Sequence, residues 1–298
     1  MPVKYKESGI ANMLLGALCL ATMGAITKIL GKTFSSVELV FFRNVIGTLI
    51  LCVTFFIKPV QQVGGRPLLL IFRGFIGTSA LFAFYYCLTK LQLAVANTYN
   101  LTYPIFIGLI SVLVLRKHLA AVQWIGIIVG FIGVLFVFRP DINFPLKLHL
   151  IGLFSGLGTA IGYLTVNELS KIYDRRIIVL SFLLTGLFLS LTSMAIGLYY
   201  QNPDLDFVLA PFFVPAGKEW AMLIAMGVIA LLGQTFITRA FTFGKPSIVG
   251  PINFMQIPFA MIYGLLLGDF FPTIYSAIGI MLILGSGILI TVYSNKIT

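Results

Sequence analysis

The chain is predicted to be an all-α integral membrane protein with ten transmembrane helices arranged as two inverted five-helix repeats. Three observations predict it. The sequence is 59% hydrophobic and only 10% charged, whereas a soluble domain carries about 25% charged residues. Ten apolar segments, each near the ~20 residues that cross a hydrocarbon core, are separated by short breaks holding most of the charge. Residues 96–138 and 248–293 also share an order of parts: an apolar span, a short polar break, then a Gly-rich apolar span. Pro104 precedes the break residue Lys117 by 13 positions, and Gln256 precedes Asp269 by 13. A break that recurs after five spans, an odd number, implies halves of opposite orientation, here 1–142 and 143–298.

The first span, 9–29, follows Lys4 and Lys6 and has the look of a signal peptide. It is too long for one, and Leu18 before Cys19 spoils a lipoprotein-type cleavage site, so it reads as a retained helix. The second, 38–57, carries Glu38 near its start and Arg43 several residues inside. The third, 68–88, holds Tyr85 and Tyr86. The fourth, 93–115, is the most polar, and the fifth, 119–138, is marked by Gly126, Gly130 and Gly133. Gly126-xxx-Gly130, like Gly152-xxx-Gly156 in the sixth span (148–168), reads as close helix packing. The sixth ends at Glu168, an interfacial partner for Lys171. The seventh span (177–200) leads into the longest break, 201–217, which contains Asp204 and Asp206. The eighth (218–240) contains Gln234, the ninth (246–268) Asn253 and Gln256, and the tenth (272–293) more glycines. Cys19, Cys52 and Cys87 lie singly in apolar runs and read as packing residues, with no metal-ligand spacing.

The net charge of +11 comes from cations placed singly or in pairs between spans. No basic patch serves nucleic acid. The cations are more numerous on the side shared with the N-terminus, where Arg73, Arg116 and Lys117 are counted, so both termini are expected in the cytoplasm.

Polar groups inside spans mark the candidate site, because facing lipid is costly. Asn97, Asn100 and Pro104 fall within about 60° on a helical wheel, with Tyr99, Thr102 and Tyr103 on the other side. Asn97, Asn100 and Tyr103 are expected to face Asn253 and Gln256 across a central cavity. Gln234 and Tyr86 would add polar and aromatic lining, and Pro104 and Pro258 would kink the fourth and ninth helices. Polar glue between helices is the competing reading for these residues. Arg43 lies where a cation costs about 2.5–3.5 kcal/mol. It requires water or an acid, either on a neighbouring helix or on the substrate. Glu38, about 140° away around the helix, is not its partner and pairs better with Lys28.

The chain resembles the drug/metabolite transporter superfamily, specifically ten-helix proteins built from two EamA-type domains. The resemblance rests on Lys28, Glu38 and Arg43 in TKILGKTFSSVELVFFR, on Arg73–Gly74, on Ala96 to Phe106 and on Arg139–Pro140. In the second half it rests on GQTFITRAF around Gln234 and Arg239, PINFMQ around Gln256, and GDFFP at Gly268, Asp269 and Pro272. The GDxxP form is similar to carriers of S-adenosylmethionine and riboflavin. The family commonly carries Glu where this chain has Lys117, so any role of that acid does not transfer.

The resemblance and the polar spans imply a secondary transporter, an exporter or exchanger, of a small organic metabolite across the bacterial inner membrane by alternating access. No ATP-binding motif is present. The alternative is a lipid or polyprenyl-carrier flippase, which requires a deep cation on a face open to lipid. A membrane-embedded enzyme would need a nucleophile, metal set or carboxylate pair. No catalytic residue, metal or cofactor is expected, and His118 and His149 read as loop residues on opposite sides of the membrane. The expected partners are the solute and membrane lipids, and the expected form is a monomer, with a homodimer as the alternative.

Overall fold

A computed structural model describes residues 3–57, 60, 64–114, 116, 120–138, 145–200, 205–244, 249–250, 252–270 and 273–294. Its helices are α1 (Val3–Leu30), α2 (Ser36–Ile57), α3 (Pro67–Lys90), α4 (Leu93–Asn100), α5 (Tyr103–Leu113), α6 (Ala121–Phe138), α7 (Leu146–Leu169), α8 (Arg175–Tyr199), α9 (Lys218–Phe243), α10 (Gln256–Leu266) and α11 (Ile274–Ser294). Seven segments are long and apolar enough to cross a membrane: Gly9–Leu30, Ser36–Ile57, Pro67–Lys90, Leu93–Leu113, Leu146–Leu169, Arg175–Tyr199 and Lys218–Phe243. Three shorter apolar helices, Ala121–Gly133, Asn253–Leu266 and Ala277–Ser286, stand where the fifth, ninth and tenth spans are expected.

Local chemistry sets the helix starts. Ser35 Oγ accepts from the Glu38 N–H at 3.2 Å while the Glu38 carboxylate accepts from the Ser35 N–H at 2.9 Å. This reciprocal capping box opens α2. Asp174 caps α8 by accepting from the Arg176 N–H at 2.8 Å. Burial alone would raise the Asp174 carboxyl, but its bonds to Arg176 hold it below the usual carboxylate value. Pro67 opens α3, where its missing N–H costs nothing.

The fourth and ninth spans are not continuous helices. The fourth breaks at Leu101–Thr102, between α4 and α5. The ninth breaks at a tight turn, Asn253–Met255. Pro104 and Pro258 each fall in the first turn after a break, where no backbone donor is lost.

The motif at Gly268–Asp269 has a backbone origin. The Gly268 N–H reaches Leu265 O at 3.2 Å and the Asp269 N–H reaches Gly264 O at 2.8 Å. This helix stop requires a left-handed residue, and Gly268 supplies φ of 89°. Arg116, which precedes the corresponding break residue Lys117, is also left-handed, with φ of 49°. A side chain there is strained. Arg116→Gly should therefore leave stability unchanged or raise it by up to ~1 kcal/mol, as a thermal melt in detergent would read. Clear destabilisation would mean that the arginine side chain outweighs the backbone strain. Lys117, Arg139, Pro140 and His118 lie outside the described residues.

Contacts gather the breaks at two ends. At one, Lys28 pairs with Asp269, which also accepts from the Leu93 N–H at 3.2 Å, and Glu38 accepts from the Phe213 N–H. Lys28 therefore does not pair with Glu38 as expected: the capping box and the 205–217 segment occupy that carboxylate. At the same end Asp206 accepts from Tyr86 Oη at 2.9 Å and Lys147 Nζ at 2.7 Å. At the other end the Arg66 N–H meets Tyr173 Oη at 3.1 Å, and Arg176 meets Thr54 O at 3.1 Å. Glu168 pairs with Lys171 at 2.7 Å, as expected.

α1 packs on α9, α3 on α7, α2 on α8 and α9, α4 on α10, and α6 on α11. Glycines allow close approach. A Cβ on Gly156 would meet Thr102 and lie 2.8 Å from Tyr99 O, and one on Gly133 would lie 2.8 Å from Gly279 O. Outward faces are apolar and exposed, as Leu49, Phe56, Ile71, Phe75 and Phe188 show. That surface suits lipid, not water.

Candidate functional site: a central cavity with two guanidinium groups

Buried apolar residues form two main clusters, one toward each end. The first includes Met23, Phe34, Phe42, Tyr85, Leu88, Leu93, Ile151 and Leu223. The second includes Met13, Leu101, Tyr103, Val166, Leu169, Ile178, Ile237 and Phe241. Between them lies a cavity, open on one side, lined in part by Leu20, Arg43, Arg73, Asn100, Tyr163, Phe182 and Gln234. Along α7 the order is Ile151, then Thr159 and Tyr163 at the cavity, then Val166. Along α9 it is Leu223, then Gln234, then Ile237. The polar residues of each helix thus sit mid-span, with an apolar closure on either side.

The expected site residues divide into two groups. Arg43, Asn100 and Gln234 line the cavity. Asn100 Nδ2 donates to Thr159 Oγ1 at 3.0 Å, and Gln234 Nε2 lies 3.5 Å from Thr238 Oγ1. Asn97, Asn253 and Gln256 do not face each other across open space; they touch. Gln256 Nε2 donates to Asn97 Oδ1, and Asn253 Nδ2 donates to Gln256 Oε1 at 3.3 Å. All three are buried, forming a polar joint between α4 and α10 beside the cavity. Tyr103 donates to Gly250 O at 2.9 Å and meets Tyr163 edge-on. Tyr86 serves the Asp206 cluster at the bundle end rather than the cavity. Asn97 and Asn100 stay on one continuous helix, α4, but α10 and α7 pack on different parts of it, so Asn97 meets Gln256 and Asn100 meets Thr159.

Arg43 has no acidic partner among the described residues. Its Nη1 donates to Asn44 Oδ1 at 2.9 Å, and its Cζ lies 5.3 Å from the Phe182 ring centroid. The second cation was misplaced by counting charges: Arg73, counted with the inner-side cations at the opening of the third span, is not at the end of its helix. It sits about 10 Å along α3 and is 3% exposed, with Cζ 4.3 Å from the same Phe182 ring. The signal was available, since Arg73 stands inside the apolar run that begins at Leu68. Two unit charges about 10 Å apart repel by roughly 1.5–2 kcal/mol at an effective dielectric of 20. Cation–π contact with one ring offsets about 1–2 kcal/mol.

His149 is likewise not a loop residue. It lies in the first turn of α7, where Nδ1 and Tyr99 Oη are hydrogen-bonded. No group of three or more potential metal ligands occurs among the described residues.

A bundle of apolar helices around a buried polar cavity is the architecture of a membrane carrier. An EamA-like transporter family model matches residues 7–139. The chain is 32% identical to an uncharacterized transporter of Helicobacter pylori, over 95% of this chain and 94% of that one. It is 30% identical to the pseudopaline exporter CntI of Pseudomonas aeruginosa, over 95% of each. It is 22% identical to the S-adenosylmethionine uptake transporter of Rickettsia prowazekii, over 99% and 95%. A solved crystal structure at 16% identity superposes with a TM-score of 0.69 over 100% of this chain and 99% of its own, which shows the shared fold. The protein belongs to the EamA-like transporter family. It is an integral membrane transporter, not an enzyme.

Proposed function

We propose that the protein is a secondary exporter or exchanger of a small organic metabolite, working by alternating access around the central cavity. The mid-span cavity between two apolar closures carries this reading, because parting either closure would open the polar residues to one side only. Two inverted five-helix halves, 1–142 and 143–298, supply the mechanism. Exchanging each span for its counterpart five spans away maps the α1–α9 contact onto α7–α3, and α2–α9 onto α8–α3. The equally spaced breaks share a left-handed residue. Both termini are assigned to the cytoplasm and the membrane to the bacterial inner membrane. Export is favoured by the relationship to the pseudopaline exporter. A lipid flippase needs its cations on a lipid-open face, whereas Arg43 and Arg73 are buried.

Gly162 provides the test. A Cβ there meets only Gly77 Cα, at 4.0 Å, at the cavity wall. Gly162→Ala should transport normally. Gly162→Trp should fill the cavity and lower transport more than about tenfold, a barrier change of at least 1.4 kcal/mol. Metabolite profiles of cells lacking the gene identify the solute, and efflux of that solute is compared between variants at equal membrane abundance. Native efflux from the Gly162→Trp variant would remove the cavity from the transport path.

A further inference from the structure

Arg43 and Arg73 come from neighbouring helices and turn to one aromatic ring. Sharing the Phe182 ring at 5.3 and 4.3 Å holds their guanidinium carbons within about 10 Å of each other. Both residues are almost fully buried, at 2% and 3% exposure. Their donors are under-used: Arg43 Nε and Arg73 Nε and Nη1 are buried without a hydrogen-bond acceptor. Each described acid is held elsewhere. Asp269 serves Lys28, Asp206 serves Lys147, Asp174 serves Arg176 and Glu168 serves Lys171. Glu38 serves Ser35 and Phe213, and Glu219 serves the Ala216 N–H. In the sequence Glu7, Asp141 and Asp204 fall ahead of the first apolar run or in breaks between runs.

Two buried cations with idle donors and no counter-charge are a costly arrangement that apolar residues would relieve. It persists where a ligand completes it. We propose that Arg43 and Arg73 are the two arms of a clamp for an oxyanion, a carboxylate or phosphate, carried by the transported solute. Phe182 forms the apolar floor of the clamp. Guanidinium suits the task because its planar fork presents paired N–H donors to two oxygens, which an ammonium does not. The uncommitted acceptor oxygens of Asn100 and Gln234, which line the same cavity, then take a donor group of the same solute. This rests on the transporter reading of the same cavity and adds the charge of what passes through it.

The test is thermal unfolding of the purified protein in phosphatidylcholine nanodiscs, with acetate, succinate, glutarate or inorganic phosphate added against chloride at equal ionic strength. At least one oxyanion should raise the midpoint by about 2 °C or more, as a ligand selective for the folded state does. Arg43→Met and Arg73→Met should unfold no earlier than the native protein without oxyanion and should lose the shift. Arg43→Lys and Arg73→Lys should keep the charge and retain part of the shift, which preserves the test if a methionine variant fails to fold.

Four results would overturn the clamp: no probe stabilises the native protein, the shift survives in Arg73→Met, the lysine variants respond fully, or only added phosphatidylglycerol stabilises. The last would assign the cations to a lipid headgroup. If Gly162→Trp blocks efflux while both methionine variants transport normally, the carrier reading stands, the clamp falls, and the solute is neutral or cationic.

Discussion

Leucine at position 156 is expected to prevent the protein from accumulating in folded form. Gly156 lies on α7 where that helix crosses the broken fourth span, and an added Cβ would meet Thr102 Oγ1 and crowd Tyr99 O at 2.8 Å. Thr102 Oγ1 already bonds Tyr99 O at 2.7 Å. The obstacle is thus a threonine hydroxyl tied down by its bond to Tyr99 O, with that backbone carbonyl itself within close reach. Overpacking of this kind costs about 3 kcal/mol or more when the neighbour cannot yield. The yield of monodisperse protein after extraction measures it. Gly162→Ala, six positions along the same helix, is the control, because nothing lies within its reach but Gly77 Cα. Equal yields from the two variants would show that α7 is not pinned against the fourth span.

Removing the amide of Gln256 should produce the second large effect. Gln256→Leu strands Asn97 Oδ1 and Asn253 Nδ2 together, and Asn253 Oδ1 already lacks a partner. A stranded buried polar group costs about 1–3 kcal/mol. Asn97→Leu leaves the Gln256 amide in the same position. The double variant removes both partners, so it should be less destabilised than the sum of the singles by about 0.5–1.7 kcal/mol, the range for hydrogen bonds inside membrane bundles. Denaturant unfolding of the four proteins gives the coupling. Strict additivity would mean that α4 and α10 are held by apolar packing alone, with the amides making no joint.

The helical membrane class, the position of most spans and the break motifs were legible in the sequence. Their causes are local: apolar run length sets a span, a Ser–Glu spacing caps α2, and a glycine permits the left-handed stop before Asp269. A buried arginine was legible too, because an isolated cation in an apolar run announces its own cost. Which residues meet was decided by the tertiary structure. A wheel projection gives angles around one helix but not which helix packs on each side of it, so it could not tell that Asn97 meets Gln256 of α10 and Asn100 meets Thr159 of α7. Lys28 and Asp269 are far apart in sequence and near only because α1 and α10 end at the same face. Arg73 read as a topology signal until α3 placed it beside Arg43 on one Phe182 ring. Periodicity and composition act through neighbours along the chain, whereas the cavity is made by helices distant in sequence whose breaks and glycines set how closely they approach.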